Sequence, residues 1–409
     1  MLKKFPAQLY VGFGIIALVL VLGFAGFFGS ATVFVKTLIG MGFGYALTRG
    51  DFGFAGLSNK TCRAGSTKLI RFLMLLFVIS AVIVAGFMVG GSELSLWIRP
   101  LSWGLLFGGL LFGIGMAFSS CCATGVLQDI PIGFSRAIIT LFFFGVGVFL
   151  GFPLMSSSFA QSSLFKSGDD YNGVWFPDWF AWDSTDGVIG ALLLTIVIAV
   201  LVAWLAKWYE KKISPQFADT QDDEEEASND LTTYERYFVK KWSMPTTVFF
   251  IATMFGLLYA VTGVGWGAST PFGQWFGALL HTFGVSADSL ASFTGQKASV
   301  FTANLFDNAG WMQNVGIILG AAIGLLMANK FTTSFKNGLK IQAPEILLFA
   351  LGGFLMGFGT RLSLGCNVGA LYTPIANFSL SGWLYFFVLF AGGYIGNKGF
   401  KAFYQKFGN

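Results

Sequence analysis

Residues Gly108–Gly125 read "GGLLFGIGMAFSSCCATG", and residues Gly352–Gly369 read "GGFLMGFGTRLSLGCNVG". Laid side by side without a gap, they share Gly108/Gly352, Gly109/Gly353, Leu111/Leu355, Gly113/Gly357, Gly115/Gly359, Ser119/Ser363, Cys122/Cys366 and Gly125/Gly369. The 54 glycines of the chain raise the chance of glycine matches. They do not account for a shared cysteine at a constant offset. A weaker match pairs "GFGYALTRGDFG" at 42–53 with "GLLYAVTGVGWG" at 256–267. We therefore read the chain as two related halves. In each, an apolar run is interrupted by small and polar residues around a cysteine, where a packed membrane helix would carry Leu or Val. Glycines let backbones approach closely, and they let a helix break where it lines a cavity.

The apolar runs around these windows set the fold class. The chain has 409 residues, 55% hydrophobic and only 11% charged, against about 25% charged in soluble domains. A membrane span needs about 20 apolar residues. About ten such runs are present, near 10–28, 31–48, 69–90, 101–118, 135–154, 187–206, 246–264, 312–328, 345–361 and 382–397. The short alternating segments of a β-barrel are not seen. The expected fold is an all-α polytopic membrane protein with re-entrant half-helices. Val11–Phe28 follows two lysines but is long for a signal peptide, so we read it as the first span.

Lys and Arg cluster at 3–4, 60–71, 207–241, 330–340 and 398–406. The positive-inside rule makes these segments cytoplasmic, with both termini inside. The span before Cys122 then runs inward and the span before Cys366 outward, so the repeats are expected to be inverted, a plan that places a transport site at the repeat interface. Residues 1–206 form the first membrane repeat, 207–243 a charged cytoplasmic linker and 244–409 the second repeat. The acidic run "DTQDDEEEASND" at 219–230 is read as solvated. The Trp- and Asp-rich loop 157–186 is expected outside. Residues 266–310 are expected to be partly helical and partly re-entrant.

Composition also excludes functions. The net charge of +5 is modest and lies between spans, so no nucleic-acid partner is expected. The single histidine, His281, excludes HExxH zinc chemistry. No metal or cofactor is expected. The four cysteines, Cys62, Cys121, Cys122 and Cys366, contain no CxxC and suggest no disulfide framework.

Of these thiols, Cys122 and Cys366 occupy equivalent positions beside Gly125, Gly365 and Gly369, and we read them as substrate contacts. A thiol is soft, polarisable and a weak donor, suited to a sulfur-bearing ligand. Cys62 and Cys121 lack such partners and are read as packing. Arg361 is costly in a bilayer, about 2.5–3.5 kcal/mol at the centre. It is either a snorkelling anchor or an anion contact at the external entrance; its repeat counterpart is Ala117. Asn367 offers amide hydrogen bonds beside Cys366. Arg49 and Asp51 are expected to pair at a helix end, while Asp129 and Asp307 are weaker candidates.

At "GMAFSSCCATG" and "GFGTRLSLGCNVGALYTPIANFSLSGW" the chain resembles the YeeE/YedE (sulphur transport) family, and "TRGDFGFAG" at 48–56 is similar too. The resemblance covers most of the chain outside 157–243. It implies an inner-membrane carrier or channel that takes up thiosulfate or a related small sulfur-containing anion. It also implies that cysteines along a narrow central path touch the substrate sulfur, and Cys122 and Cys366 match those motif positions. Some relatives carry a further path cysteine whose equivalent in this chain falls near Gly53, which leaves other sulfur or selenium species open. A small cytosolic sulfur-carrier protein is the partner the resemblance implies. The rival reading is a membrane sulfurtransferase using a cysteine persulfide. That chemistry needs an activating base or positive field, and His281 is far from both cysteines in sequence.

Overall fold

The computed structural model describes residues 6–213 and 232–407. The acidic run 219–230, with residues 214–231 of the expected 207–243 linker, lies outside the described residues. The fold is all-α, and each expected span coincides with a helix: α1 (Ala7–Phe24), α2 (Ala31–Arg49), α4 (Lys68–Val89), α5 (Trp103–Ser119), α7 (Phe134–Gly151), α8 (Val188–Ile213), α9 (Met244–Thr262), α11 (Ala309–Met327), α12 (Ala343–Leu362) and α13 (Leu380–Phe407). Three shorter helices contribute to the site: α3 (Gly56–Ala64), α6 (Ala123–Asp129) and α10 (Thr270–Thr282).

Among the described residues, nine helices are long and apolar enough to cross a membrane, against the ten or so expected. The tenth, α13, has the length at 28 residues, but its glycines, Ser381, Asn397 and hydroxylated aromatics dilute its apolar character.

Chain alternation places the connections 50–67, 120–133 and 328–342 on one face, the short-connection face. The segments 90–102, 152–187, 263–308 and 363–379 lie on the opposite, long-connection face. Loop 157–186 is folded back rather than free. Phe176 N–H donates to the Phe378 carbonyl at 2.9 Å, and Trp175 Nε1 donates to the Asn377 carbonyl at 3.1 Å.

Glycines organise the centre. Lipid tails are as apolar as Leu, so helices associate by close packing of small residues. The helices α5 and α12 cross antiparallel. A Cβ on Gly108 would lie 2.6 Å from the Gly359 oxygen, and one on Gly115 would lie 2.5 Å from the Gly352 oxygen. The reciprocal approaches, Gly359 to the Gly108 oxygen and Gly352 to the Gly115 oxygen, are 2.7 and 2.8 Å. Outside this pair, α7 runs parallel to α12, with Gly147 against Phe354 and Gly151 against Arg361. Likewise α13 runs parallel to α5, with Gly113 against Leu389 and Gly396 against Ala117. The four helices thus stand as α7, α12, α5, α13, and each outer helix follows its inner neighbour's partner by the same chain step. To one side, α2 and α11 run parallel, with Gly44 against Ile317 and Gly320 against Met41. Helix α8 presents Leu193, Val197, Val200 and Trp204 outward, as a lipid-facing helix must.

Candidate functional site

The two cysteine motifs adopt the same backbone break. Helix α5 ends at Ser119, whose Oγ donates to the carbonyls of Gly115 (2.8 Å) and Cys121 (3.2 Å). Helix α12 ends at Leu362, and Ser363 Oγ donates to the carbonyls of Gly359 (2.8 Å) and Gly365 (3.0 Å). In each break the hydroxyl ties the last helical turn to the backbone just beyond it, and the Gly359 carbonyl also accepts the Ser363 N–H at 3.0 Å. The next residue turns left-handed in both: φ is 55° at Ser120 and 57° at Leu364. The cysteine then stands extended as the cap of a second helical piece, with φ −118° at Cys122 and −98° at Cys366. Val126 N–H donates to the Cys122 carbonyl at 2.8 Å, and Ala370 N–H to the Cys366 carbonyl at 2.6 Å.

The two helical pieces beyond the cysteines differ. After Cys122 comes the α-helical α6, whose Gly125 N–H donates to Cys122 Sγ at 3.3 Å. After Cys366 comes a π-helical turn, Asn367–Tyr372, and the Cys366 side chain makes no cap hydrogen bond. The two thiols are buried, at 1% exposure for Cys122 and 0% for Cys366.

The breaks open toward opposite faces. Ser120, Cys121, Cys122 and Gly125 line a 390 Å³ cavity on the short-connection face, together with Asp51, Asn59, Lys60, Arg63 and Asp129. The equivalent Leu364, Gly365 and Gly369 line a 330 Å³ cavity on the long-connection face, with Lys36, Trp97, Arg99, Ser269, Thr270 and Arg361. Helix α2 carries Lys36 near one cavity, and Asp51 follows it at the other, about 22 Å away at 1.5 Å rise per residue. Phe52, which lines the short-connection cavity, and Phe54, Tyr259, Trp266 and Tyr372 are each buried to 1% or less. Phe43 stacks on Trp266 at 3.8 Å and 2°.

Arg361 is 1% exposed, so it does not reach out to solvent as a snorkelling side chain would. Nη2 donates to Ser269 Oγ (2.7 Å), Nη1 to Thr270 Oγ1 (3.1 Å) and Nε to Thr360 Oγ1 (3.1 Å). All three acceptors are neutral, and among the described residues no carboxylate pairs with it. Asn367 Nδ2 contacts Met116 Sδ at 3.4 Å, and its buried Oδ1 has no hydrogen-bond partner among the described residues.

The model for the sulphur transport family matches residues 49–395, most of the chain and both cysteine breaks. The chain belongs to the sulphur transport family. It is 25% identical over 367 residues to the thiosulfate transporter TsuA of Spirochaeta thermophila, covering 87% of this chain and 96% of that one. The TsuA of Escherichia coli (strain K12) is 23% identical over 343 residues, 83% of this chain and 87% of that one. The probable transporter YedE of Escherichia coli (strain K12) is 27% identical over 166 residues, 40% of this chain. That alignment spans 39% of the YedE sequence. All three relatives are named as transporters, not enzymes.

Other sequence readings meet the structure unevenly. Arg49 and Asp51 do not pair. Arg49 donates to the carbonyls of Phe238 (2.6 Å), Tyr237 (3.2 Å) and Lys240 (2.6 Å), while Asp51, left-handed at φ 49°, pairs with Lys241 at 3.1 Å. The left-handed turn carries the carboxylate away from its near neighbour in sequence. Asp129 pairs with Arg136 at 2.7 Å. Asp307 is exposed near the helix connection. Cys62 is half-exposed on α3, whereas Cys121 shares the cavity of Cys122.

The sequence reading missed Lys36, Trp97 and Arg99. Lys36 carried a signal, being the one charge in the first half of an apolar span. Trp97 and Arg99 sit in a short connection that nothing in the sequence marks as part of a site. Burial lowers the Arg99 guanidinium to about 10, so it stays charged at neutral pH.

Proposed function

We propose that this protein takes up thiosulfate, or a closely related small sulfur-containing anion, along a path from the long-connection cavity past Cys366 and Cys122 to the short-connection cavity. The observation that carries this reading is the duplicated break: one backbone device, twice, each time presenting a cysteine between cavities that open to opposite faces. The antiparallel α5–α12 crossing supports the inverted-repeat organisation, with 1–206 and 244–409 as the repeats and 207–243 as the linker. Lys and Arg placement supports a cytoplasmic short-connection face, with both termini inside and the protein in the inner membrane.

The chemistry needs no covalent step. Thiol S–H groups donate weakly, so a soft terminal sulfur is held and released without a trap, as conduction requires of any site. Arg361 and Asn367 provide stronger donors beside Cys366, while Gly125, Gly365 and Gly369 keep the turns open to the cavities. Regulation or delivery through a small cytosolic sulfur-carrier protein is part of the same proposal. Nothing favours the sulfurtransferase reading: His281 Nδ1 is engaged with the Val285 carbonyl at 2.9 Å, on α10.

Purified protein in proteoliposomes should accumulate labelled thiosulfate, and its intact mass should be unchanged afterwards. A persulfide adduct on Cys122 or Cys366, without uptake, would replace transport with transfer chemistry.

A further inference from the structure

Away from the two breaks, a 600 Å³ groove opens between α8 and α13, with Thr61 of α3 and Ile70 of α4 completing it. Its lining changes in order along the helix axes. Val202, Leu205, Phe386, Phe387 and Phe390 line the deep part, and Tyr209 and Tyr394 stand nearer the short-connection face. Leu205, Tyr209, Phe387 and Tyr394 are exposed, so the groove is open to the bilayer. Helical spacing then puts Lys212 of α8, with Lys398 and Lys401 of α13, on the same stripes, one to two turns beyond the tyrosines. Lys398 Nζ sits 4.5 Å from the Tyr394 ring centroid. None of the three lysines is in an ion pair among the described residues. Glu210, the acid on this stretch of α8, is 2% exposed and already engaged. Thr67 Oγ1 donates to it at 2.9 Å and Arg71 Nη2 at 2.8 Å.

We propose that this groove holds one anionic phospholipid of the surrounding bilayer, with an acyl chain along the apolar lining and the phosphate among Lys212, Lys398 and Lys401. The order apolar, tyrosine, cation is the order chain, ester, phosphate of one leaflet. Amphipathic rings sit at headgroup level, and basic pockets between spans bind acidic headgroups. The dimensions agree. The rise from Phe387 to Lys398 is about 17 Å at 1.5 Å per residue, and half of a bilayer's hydrocarbon core is about 15 Å. The groove thus runs from headgroup level to near the midplane. Its 600 Å³ falls within the roughly 300–1,000 Å³ of ligand sites. The chain alone does not make the site selective, because lipid tails are as apolar as Leu and any tail fits any apolar groove. The lysine rim does, so headgroup charge decides the occupant. The lipid bridges α8 of the first half and α13 of the second. The inference does not depend on what the protein carries.

Phosphatidylglycerol and phosphatidylcholine with identical chains are the probes. Each is titrated into the full-length protein in detergent and read by native mass spectrometry, with thermal unfolding in parallel. We expect one phosphatidylglycerol per chain, held on the order of tenfold more tightly than phosphatidylcholine, and a melting temperature that rises with its concentration. The double variant Lys398→Gln, Lys401→Gln should abolish most of that preference, on the order of tenfold. Lys330→Gln with Lys336→Gln, exposed between α11 and α12, should leave it within about twofold. Ala391→Trp, which fills the groove, should displace the lipid; the exposed lysine variants carry the test where this one does not fold. Equal retention of the two lipids overturns the site, as does wild-type retention of phosphatidylglycerol in the Lys398, Lys401 variant. A dimer formed in place of lipid assigns the groove to a second copy and overturns it too. So does retention seen only after the acids at 222–226 are replaced by Asn and Gln, which would give the lysines to that acidic run.

Discussion

The two cavities share a backbone and differ in charge. On the short-connection face, Lys60 and Arg63 stand with Asp51 and Asp129. On the long-connection face, Lys36, Arg99 and Arg361 stand with no acid. Yet both cavities are lined by the same three positions of the same break, Ser120, Cys121 and Gly125 on one side and Leu364, Gly365 and Gly369 on the other. On the proposed reading, duplication supplies a conduit that is alike from either end. Divergence of the lining gives the ends different tasks. A cationic mouth concentrates anions, and a charge-balanced mouth lets them go. On that reading the duplicated break serves conduction, and the divergent lining sets affinity.

The largest effect should come from breaking the shared part. The double variant Cys122→Ser, Cys366→Ser should lose thiosulfate uptake by a factor on the order of 100 or more, since Ser is harder and far less polarisable than a thiol. Cys62→Ser, on half-exposed α3, should stay near wild type. Uptake by the double variant at wild-type rate, with normal expression, would remove the thiols from the path.

Next comes the crossing that holds the two breaks in register. Gly115→Ala places a methyl 2.5 Å from the Gly352 oxygen, an overpacking that costs about 1–3 kcal/mol. Gly86 on α4 meets nothing within 4 Å, so Gly86→Ala should be neutral or stabilising by about 0.4–1 kcal/mol. Thermal unfolding in detergent, followed by fluorescence-detected size exclusion, separates the two. Equal melting temperatures would mean that the antiparallel crossing is looser than the glycine approaches indicate.

The cations test the divergent part. Arg361→Lys keeps the charge but loses the planar fork that reaches Ser269 and Thr270, and Arg361→Gln loses both. Apparent affinity for thiosulfate should fall on the order of threefold and tenfold respectively, with the maximal rate less affected. Arg63, whose guanidinium is bonded to Asn397 Oδ1 at 2.6 Å and the Ala117 carbonyl at 2.9 Å, serves the α3–α5–α13 contact. Arg63→Gln should therefore lower thermal stability more than affinity. The opposite assignment of the two arginines, read from concentration-dependent uptake, would exchange the roles of the two mouths.

Much of this was legible in the sequence, because apolar runs and a repeated cysteine are one-dimensional signals. Among the described residues, the ten long helices fall where the apolar runs put them. The break at Cys122 and Cys366 falls where Gly, Ser and Cys interrupt the runs. The cationic cavity was not legible, because Lys36, Arg99 and Arg361 come to line one space only through packing of α2, the 90–102 connection and α12. The Arg49–Asp51 pairing failed for the same kind of reason. Their closeness in sequence suggested a pair, but the left-handed turn at Asp51 and the arriving carbonyls of 237–240 gave each residue a different partner. Loop 157–186 reads as an external segment from its Asp and Trp content, and nothing in that content marks Phe176 and Pro177 as buried.

The smallest expected effect separates backbone from lining at a single equivalent pair. Ser120 and Leu364 share a left-handed φ, 55° and 57°, which disfavours any residue with a Cβ by roughly 1–2 kcal/mol. Glycine removes that penalty in either place and adds unfolded-state freedom that opposes the gain by about 0.4–1 kcal/mol. At Ser120 little else is lost beyond a 3.3 Å hydrogen bond from Arg63 Nη1. Ser120→Gly should then move the melting temperature by no more than about 2 °C and leave uptake within about twofold. At Leu364, 8% exposed, glycine also deletes a buried aliphatic side chain, a loss of about 2–5 kcal/mol by large-to-small precedent. Leu364→Gly should therefore be clearly destabilised although its backbone request is the same. If instead the two variants melt together, the left-handed turn rather than the lining governs both sites, and the difference between the mouths lies in charge alone.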